Sequence, residues 1–172
     1  MSALMPGRIW KFGDDIDTDV LAPGLYMKRP IAELAQHCLE LVEPRFAAEV
    51  RPGDFVVGGR NFGMGSSREQ AAEALKTLGV AAVLAQSFAG IFYRNALNLG
   101  LLALVCPEAS RLAAGSRISV DPVAGAVVDR DNSITVDCEP LPAHLLALVR
   151  DGGLMPHLQK KFAAARGAEA SA

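Results

Sequence analysis

The run Gly58-Gly59-Arg60-Asn61-Phe62-Gly63-Met64-Gly65-Ser66-Ser67-Arg68-Glu69-Gln70-Ala71 gathers glycines, two hydroxyls and a guanidinium within one short stretch. Glycine lets a backbone turn tightly and approach a ligand closely. Ser66 and Ser67 are neutral donors, and the Arg68 guanidinium is a fork that fits a carboxylate. Apolar residues precede the run at Phe55-Val56-Val57, and helix formers follow it from Glu69 to Leu78. The pattern predicts a strand, a glycine-rich turn and a helix N-terminus, where free N–H groups and the helix dipole favour an anion. Three other readings compete. Ser66-x-x-Glu69 is also a capping box, which opens many helices that bind nothing. A dinucleotide fingerprint begins at Gly63-x-Gly65 and fails at Arg68, where the third glycine belongs. No Gly-Lys-Ser/Thr follows, so a Walker A loop fails too.

The elements around this turn are those of one α/β unit. Arg8 to Phe12 alternates as a strand and runs into Gly13-Asp14-Asp15-Ile16-Asp17-Thr18-Asp19. Asp15, Asp17 and Asp19 have the spacing of the first calcium-loop ligands, but Val20 and Tyr26 stand where that loop needs glycine and glutamate. Turn formation and helix capping by Asp and Thr is the plainer reading. Helical spacing is expected over Ile31–Val42, with His37 on it as a surface or satisfied residue and not a catalyst. A strand is expected over Val80–Ala85, a helix over Ile91–Leu99 with Gly100 at its end, and a buried strand over Leu101–Val105. Beyond these, Arg117–Val120, Ala126–Val128 and Ser133–Val136 read as an antiparallel meander. Helices follow at Leu141–Val149 and Leu154–Ala165. One domain over residues 1–166, with 167–172 as a frayed tail, is the expected organisation.

Composition narrows the function classes. Half of the 172 residues are hydrophobic and the net charge is −2, with no basic block to serve a nucleic-acid surface. No apolar run reaches the roughly 20 residues of a membrane span. The first residues lack a basic-then-apolar export pattern, so a cytoplasmic setting is expected. Cys38, Cys106 and Cys138 are far apart and form no C-x-x-C pair, so a metal or iron–sulfur site within this chain is not expected. Buried free thiols are.

The motifs together resemble the small subunit of the isopropylmalate isomerase and homoaconitase group, the swivel domain of aconitases. The resemblance rests on Phe12-Gly-Asp-Asp-Ile-Asp-Thr-Asp19 and Asn61-Phe-Gly-Met-Gly-Ser-Ser-Arg-Glu69. It continues in Ser87-Phe88, Phe92-Tyr93-Arg94-Asn95 and Gly100-Leu101-Leu102, in the family's order. Gly90 departs from it, since an arginine usually follows Ser-Phe-Ala; that substitution is read as a charge lost near the core.

The resemblance implies a three-layer β/β/α swivelling domain. It also implies a hydro-lyase reaction, in which a 2-hydroxy di- or tricarboxylate loses water and regains it with hydroxyl and hydrogen exchanged. Isopropylmalate in leucine biosynthesis is the expected substrate. Homoaconitate, methylmalate or dimethylmalate are alternatives, and a non-catalytic carboxylate-binding module is another. By resemblance Ser66 is the base, and Ser67 and Arg68 hold a substrate carboxylate, with Gly65 and Gly63 making room for oxyanion-type N–H contacts. Lys28, in the Tyr26–Arg29 loop, lies against the substrate's variable group. The [4Fe–4S] cluster belongs to a separate large subunit, an obligate partner, and the isolated chain is expected to self-associate through the docking face.

Overall fold

The computed structural model describes residues 4–169, with side chains described to Arg166. The chain runs β1 (Gly7–Lys11), α1 (Thr18–Leu21), α2 (Ile31–Ala35), α3 (Phe46–Glu49), β2 (Phe55–Gly58), α4 (Glu69–Thr77), β3 (Ala82–Ala85) and α5 (Gly90–Asn98). It continues through β4 (Leu102–Val105), β5 (Arg117–Asp121), β6 (Ala126–Asp129), β7 (Ile134–Asp137), α6 (Ala143–Arg150) and α7 (Leu154–Glu169). The strands form one seven-stranded sheet in the order β4-β3-β2-β1-β5-β6-β7. The β4-β3-β2-β1 half is parallel. From β1 onward each pairing is antiparallel, which makes the expected meander of β5, β6 and β7.

Two cores cover the two faces of the parallel half. On one, Trp10, Val56, Val83 and Ala103 pack against Leu21, Leu34, Phe46, Leu75 and Phe92 from the helices. On the other, Ile9, Phe55, Leu84 and Leu104 meet Ile118, Val120, Val127 and Val136 of the meander, so the sheet curls over itself. Meander, parallel strands and helices form the β/β/α layering. Strands buried on both faces read as continuous apolar runs, as Phe55-Val56-Val57 and Ala82-Val83-Leu84-Ala85 do.

The structure differs from the sequence pattern at three places. The Ile31–Val42 segment is helical only to Ala35. Leu39 takes a left-handed φ of +62° and donates its N–H to the Val20 carbonyl at 2.9 Å. A tertiary bond to α1 therefore outweighs helical periodicity, and Leu34, Cys38 and Leu39 are still buried. His37 is satisfied where it stands, with Nδ1 2.7 Å from Glu40 Oε2 and its ring stacked on Tyr26, ring centroids 3.5 Å apart. The short α3 has no periodic signature and follows from the burial of Phe46 against Trp10 and Phe12. At the C-terminus α7 extends to Glu169, past Ala165, and the rest of the expected tail, 170–172, lies outside the described residues.

Asp54 ties the start of β2 to β1. Its buried carboxylate accepts from the Arg8 N–H at 3.1 Å, Trp10 Nε1 at 3.1 Å and the Arg51 N–H at 3.0 Å. Asp54→Ala would leave these donors unpaired and is expected to destabilise the fold by about 2–4 kcal/mol. Urea unfolding followed by the emission of Trp10, the only tryptophan, reads this directly.

Candidate active site

The loops that leave the carboxyl ends of β1, β2 and β3 lie side by side, at the edge of a parallel sheet where ligands are bound in such folds. They are bonded to one another through backbone. The Gly59 N–H donates to the Gly13 carbonyl at 2.9 Å, and the Asp15 N–H to the Arg60 carbonyl at 2.8 Å. The Gly63 N–H reaches the Ile16 carbonyl at 2.7 Å, and the Thr18 N–H reaches the Met64 carbonyl at 2.8 Å. On the other flank, the Phe62 N–H donates to the Ser87 carbonyl and the Ala89 N–H to the Phe62 carbonyl, both at 3.0 Å.

Side chains reinforce this zipper and explain the aspartate-rich turn. Asp14 accepts the Arg60 N–H at 2.8 Å and two guanidinium contacts. The Arg60 N–H first, and then its guanidinium, hold the Asp14 carboxyl below its ordinary value. Asp15 accepts from Asn61 Nδ2 at 2.9 Å, both residues being in the left-handed region. Asp17 caps α1 by accepting the Val20 N–H at 2.8 Å. Asp19 pairs with Arg68. The four carboxylates, which would repel one another alone, are thus each given a partner.

Close approach demands the glycines. A Cβ on Gly59 would sit 2.0 Å from Asp14 Oδ1, and one on Gly63, at φ +81°, would sit 2.2 Å from the Phe92 ring. Gly65, at φ +104°, faces Thr18, whose Oγ1 would be 3.1 Å from such a Cβ. That hydroxyl is buried and without a hydrogen-bond partner among the described residues. It lies directly beneath the turn, a feature that no sequence motif singled out.

The helix opening decides the status of the serines. Arg68 occupies the N-cap of α4, with extended backbone and no side-chain cap. Its N–H donates to the Ser66 carbonyl at 2.8 Å. The capping box Ser66-x-x-Glu69 is therefore not formed, because the chain enters helical geometry two residues later than the box requires. Ser66 and Ser67 are exposed, and neither is consumed by capping. Arg68 is half-buried; its Nη1 donates to the Ala22 carbonyl at 3.0 Å and pairs with Asp19, which is mostly exposed. The aspartate-rich loop and the Ala22 carbonyl thus orient the guanidinium, so Asp19 acts on Arg68 although sequence reasoning had not assigned it that role. Lys28 is exposed in the turn after the 3-10 segment Gly24–Tyr26, while its neighbour Arg29 pairs with Glu33 at 3.7 Å. Gly90 is exposed at the start of α5, where an added Cβ meets nothing within 4 Å. The missing arginine would have pointed into open space, so the expected loss of charge near the core does not arise.

A family model, the aconitase C-terminal domain, matches residues 36–109. The chain is 48% identical over 158 residues to 3-isopropylmalate dehydratase small subunit 2 of Archaeoglobus fulgidus, covering 91% of this chain and 95% of that one. The chain belongs to the 3-isopropylmalate dehydratase small-subunit family. It is also 43% identical to the methanogen homoaconitase small subunit of Methanothermobacter thermautotrophicus, covering 93% of this chain and 94% of that one. The crystal structure of 3-isopropylmalate dehydratase from Methanocaldococcus jannaschii superposes with a TM-score of 0.91 at 38% identity, covering 96% of this chain and 99% of that one.

A cleft of about 750 Å³ is lined by Gly7, Arg51 and Arg117 at the other end of the strands and includes no residue of the serine turn. Among the described residues no group of three His, Cys, Asp or Glu side chains could hold a metal ion. The cysteines do not fit an iron–sulfur cluster, since Cys38 lies in the helix-side core and Cys106 and Cys138 in the meander-side core.

Gly63→Ala tests the zipper. The strained backbone and the collision with Phe92 are expected to lower stability by about 2–4 kcal/mol, measured by chemical denaturation. Gly90→Ala, in open space, is expected to leave the midpoint unchanged.

Proposed function

We propose that this chain is the small subunit of a 3-isopropylmalate dehydratase, a hydro-lyase that interconverts 2-isopropylmalate and 3-isopropylmalate through an unsaturated intermediate. The observation that carries the reading is Ser66, exposed on the turn before α4 and not used as its cap, two residues before Arg68, whose half-buried guanidinium is held by Asp19 and the Ala22 carbonyl.

Ser66 acts as the base that removes the proton from carbon. A hydroxyl is a poor base in water, and here the first-turn N–H groups of α4 and the Arg68 guanidinium stabilise the alkoxide it needs. Arg68 and Ser67 hold a substrate carboxylate. Asp19 fixes one side of the guanidinium and leaves the rest of its donor fork for that carboxylate. Gly65 keeps the backbone open beside Ser66.

Such a turn is half of an active site. A large subunit carrying a [4Fe–4S] cluster is the partner, and the cluster supplies Lewis acidity toward the departing hydroxyl. The exposed Met64 of the turn, with Leu25 and Ile91 on the adjoining segments, supports docking at this edge and self-association of the isolated chain. Among the described residues no helix is long and apolar enough to cross a membrane, in keeping with a role in the cytoplasm.

Homoaconitate is the second reading, favoured by the exposed ammonium of Lys28. A lysine holds a carboxylate as a point charge, or lays its methylenes on an alkyl group.

In the complex reconstituted anaerobically with the large subunit, Ser66→Ala is expected to lower kcat by about 10²–10⁴-fold with assembly and stability intact. Near-normal turnover would remove Ser66 from the mechanism. Lys28→Val separates the substrates: isopropylmalate turnover is expected to persist or rise, and any homoaconitate turnover to fall. If kcat/KM moves for neither substrate, Lys28 does not read the side chain.

A further inference from the structure

Among the described residues β4 and β7 are the two edges of the seven-stranded sheet, and the curl of the sheet brings their carboxyl ends together. The Glu139 N–H, just past β7, donates to the Val105 carbonyl at the end of β4 at 2.7 Å. That bond joins the peptide groups adjacent to Cys106 and Cys138. Each cysteine is also held from its inner side. The Cys106 N–H donates to the Ala85 carbonyl at 2.8 Å and the Cys138 N–H to the Gly125 carbonyl at 2.7 Å. Cys106 Sγ donates to the carbonyl of Asp137, the residue before Cys138, at 3.5 Å. By the pairing pattern β7 runs opposite to β4. The Cys106 sulfur therefore lies within reach of the residue next to Cys138, across a seam that a backbone bond holds together.

We propose that Cys106 and Cys138 form an oxidisable dithiol site, which hydrogen peroxide converts to a disulfide across the seam between the two sheet edges. The electrostatics divide the labour between the sulfurs. The neighbouring Cys138 thiol holds the Cys106 thiol below its ordinary value and has its own raised, so Cys106 is the sulfur that gives up its proton more readily. The Cys106 thiolate attacks one peroxide oxygen, the O–O bond breaks, and the departing hydroxide takes a proton to become water. Cys106 is then a sulfenic acid. The Cys138 sulfur attacks it, the S–O bond breaks, and a second water leaves with the Cys138 proton. Two thiols lose two electrons, and one peroxide becomes two waters. Both groups are buried, Cys138 at 7% exposure. Peroxide reaches them when the edge strand β7 opens locally. Cys38 lies in the other core, with a thiol pushed up by burial, and serves as the internal control.

The test treats the reduced full-length chain with hydrogen peroxide, denatures it, alkylates free thiols and maps the peptides by mass spectrometry. The three cysteines are expected to yield one alkylated thiol, at Cys38, and one intramolecular Cys106–Cys138 cross-link. The oxidised chain is expected to unfold at a higher denaturant midpoint, because the link restricts the unfolded chain, and dithiothreitol is expected to reverse both changes. Cys106→Ser and Cys138→Ser should each abolish the cross-link. Three thiols still free after prolonged exposure, a link through Cys38, or a link only between chains would each overturn the proposal.

Discussion

The structure around the site depends on the backbone pairing between the loop after β1 and the loop after β2. Neither loop has regular secondary structure of its own, yet their N–H and carbonyl groups satisfy one another from Gly13–Gly59 to Thr18–Met64. Buried backbone groups need such partners, and here they are found between two segments more than forty residues apart in sequence. The pairing extends the β1–β2 contact beyond the strands, as the bridge between Asp17 and Met64 shows. It also dictates composition. Gly59 exists because Asp14 lies against it, and Gly63 because the Phe92 ring does.

From this constraint follows the electrostatic order of the site. Carboxylates set in a row repel one another when unpaired and are useful when each is directed. Asp14 and Asp15 are turned toward Arg60 and Asn61, and Asp17 toward the first turn of α1. That leaves Asp19 to orient Arg68 while remaining itself largely in water. The guanidinium is thus placed by a contact that solvent can screen and that an arriving carboxylate can rival. The serine base proposed here requires such a neighbour, because its deprotonated oxygen must have its negative charge accommodated before it takes the proton from carbon.

The rest of the molecule is a rigid support. The parallel strands are buried on both faces, with helices on one side and the folded-back meander on the other. Core packing of this density transmits position faithfully from the sheet to its loops. The proposed site therefore sits at the carboxyl edge, and the seam between β4 and β7 lies where the sheet has curled far enough for its two edges to touch.

Much of this was legible in the sequence. The strands and helices from Phe55 to Val105 stand out because buried parallel strands are short apolar runs and the intervening helices carry their own periodicity. The glycine–serine–arginine turn and the aspartate-rich turn are equally plain, since their residue types have few other uses together. What local pattern could not decide was which partner each polar group takes. The Ser66-x-x-Glu69 spacing fits a capping box, but pairing with the aspartate loop shapes the turn so that Arg68 becomes the N-cap and Ser66 stays free. The Ile31–Val42 spacing fits one helix, but the bond from Leu39 to Val20 ends it early. The roles of Thr18 and Asp19, the exposure of Gly90 and the meeting of Cys106 with Cys138 all arise between segments distant in sequence. Periodicity and motif spacing record interactions within a few residues along the chain; contacts made across the fold are decided only when the sheet and its loops are in place.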